Sequence, residues 1–301
     1  MNELVERVSA LVAAGQPLGE SDSAALAGTH DILTLGMLSD QARRRMHGAD
    51  TTFVRVAEMS VPLADHGTCE IPPAAREVKI VGPVESFDTV LPHVRRIVAA
   101  AAGRPVSAFS LEELAAESDA SGRALEVLLN ALADAGVSHV AEAALDRLTN
   151  AEASLEQMRK AGLGLARLTV QHTASTADRL AHILRARSLQ QSLGWIESFA
   201  PLGRSLMPGS PSTGYDDVRQ VALARLLIDN IPSIQVDWSR YGPKLAQVAL
   251  TVGADDVDGV SPVDEMADGR RRSPLEEIRR NILAAGLVPV ERDGARQRVV
   301  R

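Results

Sequence analysis

The stretch SVPLADHGTCEIPPAA, residues 60–75, brings together the side chains with the clearest chemistry in this sequence. It holds Asp65, His66 and Cys69, which is the only cysteine in 301 residues. Such side chains can bind a metal ion, and a thiolate next to a base is a nucleophile. A metal site needs three or four converging ligands, however, and the adjacent Asp65 and His66 point apart in an extended chain. No base for the thiol is identifiable either, so we interpret Cys69 as an ordinary loop cysteine.

The composition predicts a globular, cytoplasmic protein and argues against several classes of function. With 45% hydrophobic residues, the chain can bury a substantial core. A single cysteine excludes an intrachain disulfide, and we find neither a secretion signal nor an apolar run of membrane-spanning length. The net charge of -7 argues against nucleic-acid binding, which needs a basic face, and we interpret the clusters 43–45 and 270–272 as solvated charges.

Short apolar runs alternate with longer helical patterns from about residue 52 onward. The strand candidates are residues 52–61, 77–82, 105–110, 136–140, 163–173, 195–202, 233–238 and 255–259. Helical patterns lie between them, such as the one that follows a Ser175/Thr176 cap. Repeated β-then-α units imply parallel strands, and about eight of them in little more than 200 residues favour a closed (β/α) barrel over an open doubly wound sheet. The sequence therefore predicts an α/β fold with a single TIM-like barrel.

Helical patterns also flank the predicted barrel. Residues 2–15 form an amphipathic pattern, and a second helix is predicted from Ser39 to Gly48. Near the other end, Ser273 and Glu276 form a capping box for a helix that is followed by a strand-like run. We therefore divide the chain into an N-terminal helical extension, a barrel and a C-terminal tail, at residues 1–50, 51–293 and 294–301.

The segment YDDVRQVALARLLIDNIPSIQVDWSRYGPKLAQVALTVGADDVDG, residues 215–259, closely resembles the C-terminal half of a group of radical SAM enzymes. They are aminofutalosine synthase and dehypoxanthine futalosine cyclase of the futalosine route to menaquinone, and the related deazaflavin-forming synthases. LGMLSDQARRRMHGADTTFV, residues 35–54, is similar to the segment that leads into their first barrel strand, and EVKIVG is similar to their second. The resemblance implies a TIM-like barrel whose strand ends face an iron-sulfur cluster and S-adenosylmethionine.

The family's CxxxCxxC motif is not preserved in this sequence. Three thiolates of that motif bind three irons of a four-iron cluster and leave the fourth for S-adenosylmethionine. Ungapped alignment from TTFV places the three positions on Asp65, Cys69 and Pro72, so that one thiolate remains. The family also has a loop and a helix between the motif and the second strand, where this chain has only PAAR. We therefore predict a shortened connection between strands one and two, a wall that is irregular or open there, and a vestigial cluster site.

Two glycine-rich turns that the family uses near its cofactor are also altered. After strand two, paired glycines are replaced by Gly82-Pro83, and after strand four the GGGAE turn is reduced to VAEAALD, in which Ala141 and Glu142 match. Glycines in such turns let a ligand approach main-chain N–H groups. The resemblance implies an iron-sulfur cluster and S-adenosylmethionine, but these residues support neither, and we expect no cofactor.

Several candidate ligand-binding residues match the family at strand ends, where barrel sites are built. Glu142 follows strand four, and His172 in TVQHT follows strand five, although His172 is equally compatible with capping the next helix. Trp238 matches the family after strand seven and could stack on a purine or an aryl ring, with core packing as the alternative. Its neighbour Asp237 does not match but occupies the same strand end.

The predicted last strand and the helix before it supply the other candidates. Asp255, Asp256 and Asp258 in GADDVDG match the family, and they are retained either for ligand binding or for loop geometry. Lys244 is predicted in the first turn of the helix after strand seven. A basic residue there is unfavourable for the helix dipole, which indicates an anionic ligand.

Three functions are compatible with this sequence. The first is a non-catalytic, cluster-less homologue associated with menaquinone biosynthesis that binds a pathway intermediate or a partner enzyme. The second is an enzyme of the same pathway that performs polar chemistry, such as proton transfer, with His172, Asp237, Asp255 and Asp256. The third, ranked last, is an active radical SAM enzyme with unusual ligation. The partners that we expect are a small-molecule intermediate, a second copy of this chain, or an intact radical SAM enzyme.

Overall fold

The computed structural model of the chain describes residues 2–62, 69–84, 86–172, 175–205, 214–263 and 273–299. Its strands are β1 (Asp50–Ser60), β2 (Glu77–Val81), β3 (Val106–Ser110), β4 (His139–Ala144), β5 (Gly164–Leu165), β6 (Leu168–Val170), β7 (Ser198–Gly203), β8 (Ser233–Asp237), β9 (Asp256–Val260) and β10 (Val288–Glu291). Its helices are α1 (Asn2–Ala14), α2 (Glu20–Gly28), α3 (Ile32–His47), α4 (Phe87–Ala101), α5 (Leu111–Ser121), α6 (Leu125–Asp134), α7 (Ala151–Lys160), α8 (Thr176–Leu193), α9 (Gly214–Leu227), α10 (Trp238–Thr251) and α11 (Pro274–Ala284). In the described ranges, no helix combines the length and the apolar character needed to cross a membrane.

Eight strand positions close into a parallel barrel, as the sequence predicts. Each strand pairs with the next along the chain, and β9 closes the ring by pairing with β1. The short strands β5 and β6 both pair with β4 and share the fifth position. Because all pairs are parallel, the carboxyl ends of the strands open on one face, which we call the mouth. Their amino ends form the opposite face, which we call the floor.

Two predicted boundaries were wrong, for local reasons. Strand β4 begins at His139 and extends to Ala144, beyond the predicted 136–140, because Gly136 has φ 90° and belongs to the turn after α6. The alanines of β4 have low strand propensity and hid its second half. Helix α3 begins at Ile32, well before Ser39, because the side chain of Asp31 accepts the backbone N–H of Thr34 and caps it.

The connection between β1 and β2 is short, and its described residues contain no helix, as predicted. The expected opening in the wall is wrong, however, because Val56–Ser60 of β1 pairs regularly with Glu77–Val81 of β2. The outer side chains Phe53, Val78 and Ile80 are fully buried. The two strands therefore expose no uncovered sheet face at this position.

The C-terminal strand β10 extends the sheet along the lower half of β1. It pairs with residues 50–53 of β1, on the edge where β2 pairs with the upper half of the same strand. The carboxylate of Glu291 at the end of β10 accepts a hydrogen bond from Nε of Arg55 at 2.7 Å and lies 3.4 Å from Nε of Arg76. Glu291 of β10 thus forms ion pairs with Arg55 of β1 and with Arg76 of the connection between β1 and β2.

Residues 292–299, which include most of the predicted tail, pack beneath the floor. Nε and Nη2 of Arg292 donate to both carboxylate oxygens of Asp256, at 2.7 and 2.6 Å. The backbone N–H of Gly294 donates to the carbonyl of Arg76, and a Cβ at this glycine would lie 2.9 Å from Cγ of Glu77. Residues 292–299 therefore close the floor of the barrel.

Gly82, just after β2, provides a test of how tightly the ends of β1 and β2 pack. Its φ is 129°, and a Cβ there would lie 2.3 Å from the carbonyl oxygen of Val61. We expect Gly82→Ala to lower the free energy of unfolding by about 3 kcal/mol, because both backbone strain and a backbone clash result. Gly194→Ala is the matched control, with φ 74° and no atom within 4 Å, and should cost about 1 kcal/mol. Equal losses in denaturant titrations would contradict the close packing.

Candidate functional site

A charged cavity of about 340 Å³ opens at the mouth, and we call it the polar pocket. It lies where β3, β4, β6 and β7 end and α10 begins. Its lining comprises three carboxylates, three guanidinium groups and three neutral or titratable polar side chains. These residues are Glu112, Glu113, Glu142, Arg147, Arg204, Arg240, Ser110, Gln171 and His172.

Local hydrogen bonds fix the acidic side of the pocket. Ser110 and Glu113 form a capping box that starts α5 directly at the end of β3. Glu112, in the same first turn, accepts the backbone N–H of Ala144 at 3.1 Å and so leans over β4. The loop after β6 is held by Asp146, whose carboxylate accepts the backbone N–H groups of Gln171 and His172. The pocket's acidic wall is therefore built from two adjacent loops.

Arg204, directly after β7, forms the basic centre of the pocket. Its Nη1 donates to Oδ2 of Asp237 at 2.9 Å, and its Nη2 lies 3.2 Å from Oε2 of Glu142. The side chain is only 2% exposed. Arg240 donates from Nη1 to the carbonyl of Arg204, while Asp237 accepts the backbone N–H of Arg240 and caps α10. Residues from β4, β7 and β8 therefore meet in one ion-pair network.

Two of the three carboxylates at the pocket, those of Glu112 and Glu142, have environments that move their pKa values apart. Burial raises the pKa of Glu112 above its ordinary value, and the neighbouring Glu142 and Glu113 add to this. Burial also opposes ionisation of Glu142, but the guanidinium of Arg204 outweighs it and holds the pKa of Glu142 below its ordinary value. Glu112 is thus the better proton donor and Glu142 the better anion.

Several buried polar atoms at the pocket form no hydrogen bond within the described part of the chain. They are Oε2 of Glu142, Nδ1 of His172, and Nε and Nη2 of Arg204. Each such atom costs about 1–3 kcal/mol when it is left without a partner. A bound molecule with matching donors and acceptors would relieve this cost.

A second ion-pair layer fills the barrel below the pocket. Arg167, between β5 and β6, lies 3.0 Å from Glu77 of β2 and 2.6 Å from Asp258 of β9. These strands are not neighbours, so the guanidinium must reach across the barrel interior. Burial raises the pKa of Asp258 above its ordinary value, although Arg167 opposes this, and Ser107 donates a hydrogen bond to Glu77 at 2.6 Å. The interior is therefore ionic where many barrels are apolar.

The structure places some of the sequence-predicted residues together and separates others. Glu142 and His172 line the polar pocket, and Asp237 lies behind it as the partner of Arg204. Trp238 is the first residue of α10 and packs in the core, 8% exposed. Helix α10 is broken at Gly242, whose φ of 77° is not helical, and a second helical segment follows from Pro243. Lys244 is exposed and lies in the first turn of that segment, outside the lining of the polar pocket.

The prediction that Asp255 and Asp256 lie at a mouth-side strand end was also wrong. Asp256 is the first residue of β9 and Asp255 precedes it, so both lie at the floor. Asp255 accepts hydrogen bonds from the buried guanidinium of Arg225 and from Ser233, while Asp256 binds Arg292. Asp258, one full pleat further along, is the only member of this trio in the interior layer beneath the pocket. The two floor aspartates fix the barrel's closure and do not reach the mouth.

Sequence reasoning missed the residues that give the pocket its charge. Arg204, Arg240 and Glu112 follow the strands β7, β8 and β3 of the structure at distances of one to three residues. A charged residue immediately after a barrel strand is the signal that could have identified them. Their mutual contacts join strands that are far apart in sequence, so no local pattern records them.

A second cavity, of about 420 Å³, lies where β1 and β9 end, on the side of the predicted cluster positions. Pro72, Glu58 and Glu70 are among its lining residues. Cys69 is half-buried against the core, and burial raises the pKa of its thiol. Asp65 and His66 lie outside the described residues. The thiol environment disfavours the thiolate that a metal or a nucleophilic reaction requires.

Comparison with known proteins assigns the chain to a family. A family model of the CofH/MqnC C-terminal region matches residues 207–298. Aminodeoxyfutalosine synthase from Thermus thermophilus is 30% identical over an alignment that covers 93% of this chain and 91% of that enzyme. The chain belongs to the radical SAM family of the futalosine pathway. The 5-amino-6-(D-ribitylamino)uracil–L-tyrosine 4-hydroxyphenyl transferase of Methanosphaerula palustris is 26% identical over an alignment that covers 89% of this chain and 90% of that enzyme.

Solved radical SAM structures share the same barrel. Methylornithine synthase PylB superimposes with a TM-score of 0.68 at 11% identity, over 94% of this chain and 97% of its own. The FeFe-hydrogenase maturase HydG from Carboxydothermus hydrogenoformans gives 0.65 at 12% identity, over 96% of this chain and 80% of its own. At such low identity these similarities concern the fold alone, and they agree with the closed barrel.

The residues of this chain do not fit the cluster that the radical SAM family implies. A four-iron cluster in this family needs three thiolates, and the whole chain contains one cysteine. Within the described ranges, no three His, Cys, Asp or Glu side chains converge as a metal site. The space beside Gly82 is filled by the backbone of Val61. The alignment with the Thermus enzyme runs over 341 positions, more than the 301 residues here, so it contains gaps in this chain.

Proposed function

We propose that this protein is a cluster-less radical SAM homologue that binds a small polar intermediate of menaquinone-type biosynthesis in the polar pocket, without radical chemistry. The observation that carries the proposal is the set of buried polar atoms on Glu142, His172 and Arg204 that form no hydrogen bond among the described residues. The single cysteine and the short connection after β1 support the absence of a cluster. Family membership supports the class of ligand.

The shape and chemistry of the pocket favour a ligand of modest size. A volume of about 340 Å³ lies at the lower end of the range that small-molecule sites occupy. Both signs of charge are present, so the bound molecule should carry hydrogen-bond donors as well as an acceptor or an anionic group. Each hydrogen bond that replaces an unpartnered atom adds free energy to binding.

A second candidate function is polar chemistry by an enzyme of the same pathway. Two carboxylates whose pKa values are moved apart in one cavity can act as proton donor and proton acceptor. Glu112 and Glu142 have this property, and His172 lines the same cavity. Asp255 and Asp256 lie at the floor, so the two glutamates, and not these aspartates, are the candidates for proton transfer.

Binding measurements test the proposal. We expect calorimetry with futalosine-type nucleosides, carboxyvinyl-oxybenzoate and S-adenosylmethionine to identify at least one ligand. His172→Ala and Glu142→Gln should weaken its binding by about 0.5–3 kcal/mol each, up to roughly a hundredfold, because the first removes a hydrogen-bonding group and the second removes the charge of an acceptor. Matched controls outside the pocket, His182→Ala in α8 and Glu156→Gln in α7, should bind as the wild type does.

Two results would contradict the binding role. One is that no compound of the set binds; the other is that the pocket variants bind as tightly as their controls. Either result would make a complex with a partner enzyme the better account. If a ligand binds and is converted, loss of conversion in Glu112→Gln with binding retained would favour the second candidate.

A further inference from the structure

Arg204 lines the polar pocket with a guanidinium edge, Nε and Nη2, that has no hydrogen-bond partner among the described residues. The group is held in place from its other side, where Nη1 donates to Asp237 at 2.9 Å. Nε and Nη2 are buried and form no hydrogen bond among the described residues. These two atoms belong to the same side of the planar group, so their N–H bonds point in parallel into the cavity.

A pair of parallel N–H donors matches the two oxygens of a carboxylate. Bidentate pairing of this kind is stronger and more selective than a single charged hydrogen bond. Oε2 of Glu142 forms an ion pair with Nη2 at 3.2 Å but lacks hydrogen-bond geometry, and Nε has neither kind of contact in the described chain. The hydrogen-bonding capacity of this edge is therefore left for an oxyanion of a bound molecule.

The charges around Arg204 favour an anion with a single charge. Asp237 and Glu142 face two guanidinium groups, Arg204 and Arg240, so the immediate surroundings are close to neutral. Glu112 and Glu113 add two negative charges to the same cavity, and Arg147 adds one positive charge. A dianionic phosphate would meet repulsion from these carboxylates, while a monoanion would meet less. The unpartnered oxygen of Glu142 can in addition accept a hydrogen bond from a hydroxyl or amino group.

We infer that the Nε–Nη2 edge of Arg204 anchors the carboxylate of a monocarboxylic ligand, and that Glu142 accepts a hydrogen bond from a hydroxyl or amino group on the same molecule. Asp237 acts as a positioning residue that fixes the guanidinium plane. The inference rests on the proposed function, because it names the chemical class of ligand for the same pocket.

Three probes of similar size test the inference on the wild-type chain by calorimetry. Mandelate carries a carboxylate and a hydroxyl group, mandelamide replaces the carboxylate by a neutral amide, and phenyl phosphate is a dianion. We expect mandelate to bind about tenfold or more tightly than either of the others, because only mandelate matches the Nε–Nη2 edge of Arg204 in shape and charge. Equal affinities, tighter binding of phenyl phosphate, or no binding of mandelate would overturn the inference.

A variant then locates the effect. Arg204→Lys keeps the charge beside Asp237 but removes the parallel donors, so the preference for mandelate over mandelamide should fall to less than about threefold. Arg159→Lys, on the outer surface over Trp195, is the matched control and should keep the wild-type preference. Thermal unfolding shows whether each variant is folded, and the wild-type comparison decides the inference if Arg204→Lys is not. An unchanged preference in a folded Arg204→Lys would overturn it.

The outcome is distinguishable from that of the proposed function. If mandelate binds with the expected preference while no pathway compound binds, the carboxylate anchor stands and the pathway role fails. If a pathway nucleoside binds while mandelate shows no preference, the pathway role stands and the anchor is refuted.

Discussion

Replacing Arg167 by Met should lower the free energy of unfolding by about 3–5 kcal/mol, because it leaves buried carboxylates without their cation. The side chains of Glu77 and Asp258 are no more than 2% exposed and both pair with this guanidinium. Without it, two carboxylates remain inside the barrel with Ser107 as the hydrogen-bond donor to Glu77. Urea titration of both proteins measures the loss.

The same substitution on the surface is the control for the Arg167 prediction. Arg159→Met removes a guanidinium that stacks over Trp195 at 5.5 Å, and it should cost less than about 1 kcal/mol. Adding Glu77→Gln to Arg167→Met should restore part of the loss, since one buried charge is then removed. Similar losses for the two single variants would show that the ionic interior does not stabilise the barrel.

A second large effect is expected at the floor. Arg292→Gln should cost about 3–5 kcal/mol, because Asp256 is completely buried and loses both of its guanidinium hydrogen bonds. Arg298→Gln removes a pair with Asp50 at 2.7 Å on an arginine that is 65% exposed, and it should cost less than about 1 kcal/mol. Equal costs would mean that the C-terminal segment does not hold the floor.

The pH dependence of stability gives a separate readout for the floor. Burial raises the pKa of Asp256, but Arg292 and Arg296 outweigh this and hold it far below its ordinary value. A carboxylate with a lowered native pKa stabilises the fold above its unfolded pKa of about 4, and this stabilisation is lost as the pH falls through the native pKa. In Arg292→Gln the loss of stability on acidification should be smaller than in the wild type, whereas Arg298→Gln should follow the wild type.

The sequence predicted the barrel because its signals are local. Each of the eight strand candidates overlaps a strand of the structure, and the Ser175 cap starts α8 as expected. Glu142 and His172 were predicted at the mouth because each matches the resembled family at the end of a predicted strand, and the carboxyl ends of parallel strands meet on one face. Periodicity and capping residues carry such information without any knowledge of distant contacts.

The charge of the pocket and the closure of the floor could not be predicted in this way. Arg204 acquires its role from Glu142 and Asp237, which lie on other strands. Asp256 was placed at the wrong end of its strand because the run DDVDG shows which residues form a strand but not which end an aspartate occupies. The covering of β1 by β10 joins residues more than 230 positions apart, as Arg55 and Glu291 do.

The outer face of β1 and β2 is packed within the fold. Phe53, Val78 and Ile80 are buried, α4 contacts β2, and β10 extends the sheet along the lower half of β1. A parallel sheet must be covered on both faces to be stable. The wall at β1 and β2 is therefore complete without a helix among the described residues of the first connection.

Anaerobic reconstitution with iron and sulfide tests the central claim most directly. One thiolate cannot replace three, so we expect no stable four-iron cluster after desalting and no reductive cleavage of S-adenosylmethionine. Cys69→Ala should retain the same small amount of iron as the wild type, because the thiol is not expected to hold a cluster. Binding of about four irons per chain, lost in Cys69→Ala and accompanied by cleavage of S-adenosylmethionine, would contradict the account.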